Sequence, residues 1–430
     1  MTAEIAIMNK EAIALATDSA VTMSQEGGQK IFASANKLFT LSKYYPVGIM
    51  IYGNASFMGI PWESIIKIYR NKAGKQKFNT LIDYADDFIN FLDNGNPIFL
   101  ESEQEKYLSR NILIYFSFIK KKIDKKVEEI IEGKNKITNN QIKKATACVI
   151  KEQFDKLGNI KDLPSIPKNY SKNIVNKYKN IINKIREEVF EKLPLAPSIL
   201  NKLRKMSATL FTKDIFSSDI SGIVIAGFGE GDTFPSLRTF DIEGIANDKL
   251  KYRFKKTLSG KIDFENSAAI VPFAQKEMVV TFMEGIEPSL QKEIDGNIFK
   301  ILYKYPEIIA ENIDKYDDNE KLEIKRKLKE ASKEIFKNYQ KHIAEYRTSS
   351  YVHPVIRVVS MLPKDELAAM AESFVNLTSF KRKVSMVTET VGGPIDVAVI
   401  SKGDGFIWIK RKHYFKAELN PNFFSNYYRR

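Results

Sequence analysis

Three side chains near the N-terminus have the types and spacing that an acylating nucleophile needs. The chain opens with "MTAEIAIMNKEAIALATDSAVTM", where Thr2 follows Met1 and Asp18 ends the second of two short apolar stretches. Once Met1 is removed, Thr2 carries both a hydroxyl and a free α-amine, whose pKa is ordinarily about 8. A threonine hydroxyl paired with its own N-terminal amine is an activated nucleophile. The pattern therefore predicts acyl transfer at Thr2, and the simpler alternative is an incidental second residue.

A buried cation beside Thr2 would complete such a centre. The stretch "SANKLFTL" places Lys37 among apolar residues on a predicted strand, where an ammonium requires a carboxylate partner. We expect Asp18 to be that partner, because a hairpin over residues 3–18 brings it beside the start of the first strand. An ammonium at this position favours the alkoxide and keeps the amine neutral. Lys30 is the alternative lysine.

Composition limits the other classes of function. With 43% hydrophobic and 28% charged residues, the 430-residue chain can bury a core. The one cysteine, Cys148, permits no disulfide within the chain, which favours a cytoplasmic protein. There is neither an apolar run of membrane-spanning length nor a secretory signal pattern, so no membrane partner is expected. The net charge of +14 rests mainly on lysine, which makes nucleic acid a less favoured partner.

Motifs for metal or cofactor chemistry are missing from the sequence. The histidines His342, His353 and His413 are isolated, so we expect no metal site. The sequence has no GxxxxGK[ST] or GxSxG, and "GFGEGD" lies between strands instead of opening a helix. We therefore expect no cofactor.

The predicted elements form blocks of strands and blocks of helices. Strands are predicted at 3–8 and 12–18, then in "QKIFASANKLFTLS" and "PVGIMIYGN", and a helix is predicted from Pro61. Amphipathic helices fill 77–205 and return over about 274–346. Hairpins are predicted for "SGIVIAGFGEGD" with "FPSLRTFDIEG" and for "IDVAVISKGDGFIWIKR". The order indicates an α+β protein with antiparallel sheets covered by helices.

Several of these motifs together resemble the proteasome β-subunit family and its bacterial relatives. The resemblance rests on Thr2, "ALATDSAVT", "ANKLFTL" and "GIMIYGNASFMGIPWE", and continues in "LPKDELAAMAESFVNLTS" and "TETVGGPIDVAVISKGDGFIWIK". It covers about half of the chain. It implies the N-terminal-nucleophile (Ntn) hydrolase fold, a four-layer αββα sandwich of two antiparallel sheets, here with helical insertions. The implied core is 2–76, 211–290 and 356–430 with its C-terminal tail, and the implied insertions are 77–210 and 291–355.

The resemblance also implies roles for individual residues. Thr2 would be the nucleophile and base, Asp18 the group that orients Lys37, and Lys37 the electrostatic activator. The backbone N–H of Gly53 would stabilise the oxyanion, and Ser19 and Thr22 would line the substrate site.

The chain departs from the family pattern at supporting positions. The serine usual before the central helix is missing from "VPFAQKE". Thr388 and Val391 replace the usual acid and serine, and Glu389, at a neighbouring position, is a candidate to substitute for the acid.

The function implied by the resemblance is a threonine peptidase that acts on polypeptides. Such an enzyme is expected to work as a homo-oligomer, with a separate ATPase or unfoldase as a further partner. Two alternatives remain open. One is a small-amide amidohydrolase of the same fold, and the other is a catalytically silent scaffold that binds through its basic helical insertion.

Overall fold

The computed structural model describes residues 2–25, 28–32, 35–93, 95–134, 138–191, 193–313, 315, 317–385 and 391–428. It divides into two compact units. The first comprises Met1–Leu38, Thr233–Ser236 and Lys261–Arg430, and the second comprises Phe39–Asp232 and Leu237–Gly260.

Short strands, most of them in antiparallel hairpins, make up the sheets. The strands are β1 (Ala3–Asn9), β2 (Ala12–Thr17), β3 (Val21–Gln25), β4 (Gly28–Phe32), β5 (Leu38–Thr40), β6 (Val47–Gly53), β7 (Ser56–Phe57), β8 (Ile60–Pro61), β9 (Ser221–Gly227), β10 (Ser236–Ala246), β11 (Lys249–Phe254), β12 (Gly260–Lys261), β13 (Ala268–Ala274), β14 (Asp396–Ser401) and β15 (Gly405–Lys410).

The helices fall mainly into two long runs of sequence. They are α1 (Trp62–Ala73), α2 (Leu81–Leu92), α3 (Glu101–Lys134), α4 (Asn139–Gly158), α5 (Tyr170–Lys177), α6 (Lys179–Phe190), α7 (Pro197–Thr209), α8 (Glu277–Glu284), α9 (Pro288–Glu311), α10 (Asp318–Arg347), α11 (His353–Val359), α12 (Lys364–Val384) and α13 (Pro421–Tyr428). None of the helices in the described residues combines the length and apolar character needed to cross a membrane.

The first unit is built on a five-stranded sheet in the order β13-β1-β2-β14-β15. Alternate residues of β1 and β2, such as Ile5, Ile7 and Ala14, pack in one cluster with Leu367 and Phe374 of α12. Because side chains alternate between the two faces of a strand, Glu4 and the other even-numbered residues of β1 lie on the face opposite that cluster. Both faces of β1 and β2 are buried, which explains their almost wholly apolar sequences.

The second unit is built on a six-stranded sheet in the order β11-β10-β9-β6-β5, with β12 paired to β10. One face packs against α1 and α2 through Trp62, Ile65 and Phe88. The long helices α3, α4, α6 and α7 bury a second cluster that includes Phe116, Phe190 and Leu203. Amphipathic helices therefore occupy the run predicted over 77–205.

The α+β class with antiparallel sheets is confirmed, and so are both late hairpins, β9 with β10 and β14 with β15. The expected single strand over "QKIFASANKLFTLS" is wrong, because it is divided between β4 and β5. Strand β4 pairs with β3 in a separate two-stranded sheet of the described residues, while β5 belongs to the six-stranded sheet. A pattern of alternation does not reveal such a change of partner. Strands β3, β11 and β13 were not predicted from the sequence.

Candidate active site

The β1–β2 hairpin determines which residue lies opposite the start of the chain. Its turn is held by Asn9, whose Oδ1 accepts hydrogen bonds from the N–H groups of Glu11 at 3.0 Å and Ala12 at 3.2 Å. The register pairs Glu4 with Thr17. One step further along the hairpin, the N–H of Asp18 donates to the carbonyl of Ala3 at 3.0 Å. The hairpin thereby places the Asp18 side chain beside the residue that follows Thr2.

Thr2 is buried, with 4% of its surface exposed. Its carbonyl accepts from the N–H of Gln275 at 3.1 Å, and the Gln275 side chain accepts from Arg382 Nε at 2.6 Å. Its hydroxyl, Oγ1, accepts from Lys37 Nζ at 3.1 Å. Both the backbone and the side chain of Thr2 are thus held in place.

Lys37 connects the hydroxyl to a carboxylate. Its Nζ lies 2.7 Å from Asp18 Oδ1, and its side chain is only 6% exposed. Lys37 was expected on a strand, but it lies one residue before β5, so that prediction is wrong in detail. The side chain still reaches the hydroxyl and the carboxylate together, as predicted.

Asp18 is fully enclosed by hydrogen-bond donors. Besides Lys37, its Oδ1 accepts from the N–H of Ala3 at 3.1 Å. Its Oδ2 accepts from the N–H groups of Ala20 at 3.2 Å and Gly392 at 3.1 Å. A carboxylate with these donors is stabilised as an anion and holds one orientation. Asp18 therefore supplies a fixed negative charge that keeps the Lys37 ammonium against Thr2.

Ser19, expected to line the substrate site, is fully buried with its groups in use. Its N–H donates to the carbonyl of Gly392 at 3.1 Å, and its hydroxyl donates to the carbonyl of Pro394. Its own carbonyl accepts from the N–H of Ala35 at 3.1 Å. In this arrangement Ser19 links the β2 end to the segment before β14.

Thr22 lies on β3, but its side chain and that of Lys30 are outside what the structure describes. The same is true of Thr388 and Glu389, the residues considered for the supporting acid, and of Met1. Val391 is fully buried in the cluster beneath the five-stranded sheet.

Gly53 ends β6 in the second unit and has a φ of +84°. A Cβ at this position would lie 2.3 Å from the carbonyl oxygen of Ile220, so the backbone alone requires glycine here. Its role as oxyanion donor remains a prediction.

Sequence reasoning missed Glu4 and Gly392. Glu4 is buried on the same face of the extended chain as Thr2, with 2% of its surface exposed. Burial raises the pKa of the Glu4 carboxyl well above its usual value. The positive charge of Lys37 opposes that rise, and the negative charge of Asp18 adds to it. The signal for Glu4 was a single charged residue in the otherwise apolar stretch "AEIAIM". For Gly392, the tertiary contact of its N–H with Asp18 left no signal in the sequence.

Chemically, the cluster provides a hydroxyl, an adjacent ammonium and a fixed carboxylate, all away from bulk solvent. Within the described ranges, no group of three or more His, Cys, Asp or Glu side chains is placed to hold a metal ion. A scan against models of known protein families finds no match for this chain. A search of curated proteins finds no match either.

Proposed function

We propose that this chain is a threonine peptidase of the N-terminal-nucleophile class, which hydrolyses peptide bonds through an acyl-enzyme on Thr2 after Met1 is removed. The observation that carries the proposal is the position of Lys37 Nζ, 3.1 Å from Thr2 Oγ1 and 2.7 Å from Asp18 Oδ1. An ammonium so placed stabilises negative charge as it develops on the attacking oxygen.

The proposed reaction begins with attack of Thr2 Oγ1 on the carbonyl carbon of the substrate, while the hydroxyl proton moves to the Thr2 α-amine. The tetrahedral intermediate then expels the amine product, which takes the proton from the α-ammonium, and an ester on Thr2 remains. Water attacks this ester as the α-amine accepts a proton, and the acid product leaves with Thr2 regenerated. The Gly53 N–H is the proposed donor to the oxyanion.

The same proposal includes the finer fold class, a four-layer αββα sandwich. It is supported by the presence in each unit of an antiparallel sheet with helices packed on one face. A polypeptide substrate, a homo-oligomer, a separate ATPase or unfoldase partner and a cytoplasmic location complete the proposal.

The test is the intact mass of the purified protein before and after treatment with a β-lactone that acylates N-terminal threonine. We expect loss of Met1 and a single adduct that maps to Thr2. The untreated protein should also release peptide fragments from unfolded polypeptides. Thr2→Ala is the matched variant, because alanine still permits removal of Met1 but has no hydroxyl. It should lose the methionine and form no adduct.

A second control is Thr378→Ala, which removes a buried threonine hydroxyl that, among the described residues, bonds to the Phe374 carbonyl of its own helix. This variant should form the adduct as the wild type does. A folded wild-type protein that retains Met1 and takes no adduct would overturn the proposal. An adduct at Thr2 together with hydrolysis of small amides, but without cleavage of polypeptides, would instead favour an amidohydrolase.

A further inference from the structure

Glu4 is a buried acid close to the candidate nucleophile but outside the chemistry described so far. It lies on β1, which is paired on both sides, with β13 and β2. Glu4 is two positions after Thr2, with only Ala3 between them, so the two side chains lie on the same face of the extended chain. The carboxyl is therefore on the face of the sheet that carries the candidate nucleophile.

The Glu4 carboxyl has no partner within the described residues. Neither of its oxygens makes a hydrogen bond there, and Thr17 Oγ1, directly opposite on β2, makes none there either. A buried polar group without a hydrogen bond destabilises a fold, and a charged one does so more strongly. An uncharged, protonated carboxyl is thus the form that this position favours.

The residues paired across the sheet with Glu4 include one charged group. Phe273 on β13 pairs with Glu4 on one side, Thr17 on β2 pairs with it on the other, and Asp396 on β14 pairs with Thr17 in the same row. Asp396 is already paired with Lys412. The groups that act on the Glu4 carboxyl are Lys37 and Asp18, the two charged members of the candidate site.

On the basis of the proposed function, we propose that Glu4 is a positioning residue that controls how much of the Lys37 ammonium is available to Thr2. While the Glu4 carboxyl is protonated and uncharged, it does not compete for the Lys37 ammonium, which contacts Thr2 Oγ1 and Asp18. When it ionises, it places a second negative charge near Lys37 and competes with Thr2 for that ammonium.

This role has a consequence for the pH dependence of acylation. The rate rises with pH as the Thr2 α-amine, whose ordinary pKa is about 8, loses its proton. It falls again as Glu4 ionises, because the ammonium then stabilises the alkoxide less. If only the protonated form of Glu4 supports acylation, the rate falls about tenfold for each pH unit above its pKa.

The experiment measures the rate of β-lactone adduct formation at Thr2 from pH 5 to 10 by intact mass, in the wild type and in Glu4→Gln. Glutamine has the shape of the protonated acid and cannot ionise. We expect Glu4→Gln to keep the rising limb within about threefold of the wild type and to remove the part of the falling limb that ionisation of Glu4 causes.

Asp396→Asn is the matched control, since it removes a buried carboxylate from the same row of the sheet that is paired with Lys412. Its pH profile should follow the wild type. Overlapping profiles for the wild type and a folded Glu4→Gln would overturn the role of Glu4 and leave the proposed function intact. Absence of any adduct in the wild type at every pH would overturn both the proposed function and the role of Glu4. The two failures are therefore distinguishable.

Discussion

Each of the two units contains a buried pair of lysine and carboxylate, and the two pairs are alike by most measures. Lys37 and Asp18 in the first unit are 2.7 Å apart, with side chains 6% and 0% exposed. Lys251 and Glu243 in the second unit are 2.6 Å apart, with side chains 6% and 2% exposed. Burial and ion pairing alone therefore do not distinguish a candidate active site from a structural contact.

The difference lies in what else each ammonium contacts. Lys251 Nζ donates to the backbone carbonyls of Leu210 at 2.8 Å and Ile215 at 2.5 Å, and so fastens the segment after α7 to the sheet. Lys37 Nζ instead donates to the hydroxyl of Thr2. A backbone carbonyl is not a catalytic nucleophile. A hydroxyl beside a cation, in contrast, loses its proton more readily as it attacks and so becomes a better nucleophile. The second contact of each lysine thus separates the two roles.

The largest expected effect tests this contrast directly. Lys37→Met keeps much of the apolar stem but removes the charge beside Thr2, and we expect adduct formation at Thr2 to fall about 10³-fold or more. Lys251→Met removes an equally buried ammonium, and the rate per folded molecule should change less than about threefold. The rates are measured by intact mass after the folded fraction of each variant is determined. Equal losses in both variants would contradict the assignment of different roles.

Much of the first unit's centre could be predicted, because it lies within one stretch of 37 residues. The hairpin pattern was enough to bring Asp18 to the start of β1, and one lysine among apolar residues identified Lys37. The Lys251–Glu243 pair left no comparable signal, since charged residues alternate along β11 in "KLKYRF". The contact between Gly392 and Asp18 joins residues that are far apart in sequence, and local patterns carry no information about it. The same limit explains why strands β3, β11 and β13 were not predicted, since each depends on pairing with strands that local sequence patterns do not identify.

A smaller effect concerns stability. Removing only Lys251 leaves Glu243 buried with its charge unpaired, so Lys251→Met should lower the free energy of unfolding by about 3–5 kcal/mol. Adding Glu243→Gln removes that charge and should recover about 1–3 kcal/mol, because glutamine still accepts from the N–H of Ser217, now 3.1 Å from Glu243. Chemical denaturation of the two variants measures the difference.

The corresponding double variant in the first unit, Lys37→Met with Asp18→Asn, sharpens the comparison. It should recover less stability, since the asparagine NH₂ would face one of the backbone N–H groups that Asp18 now accepts from. It should recover no labelling of Thr2. Restored labelling would show that the charge of Lys37 is not what activates the hydroxyl.

The last comparison concerns two buried glutamates: Glu4, which makes no hydrogen bond within the described residues, and Glu243, which is paired with Lys251. Because the pKa of Glu4 is raised in the folded state, the carboxyl ionises first in the unfolded chain as the pH rises. Below the ordinary pKa of about 4.3, both states are protonated and Glu4→Gln should match the wild type. Above it, wild-type stability should fall by about 1.4 kcal/mol per pH unit until Glu4 ionises in the folded state.

Glu4→Gln lacks this loss, so it should melt at a higher temperature than the wild type at pH 8 and at the same temperature near pH 4. Glu243→Gln should have the opposite sign at pH 8, because it leaves the Lys251 ammonium without its charge partner. Thermal melts of the three proteins at both pH values measure the contrast. If both glutamines lower the melting temperature at pH 8, Glu4 has a stabilising partner in the folded chain and does not ionise as argued. A gain confined to Glu4→Gln would mean that the first unit keeps an acid that destabilises its own fold, as expected of a residue retained for chemistry.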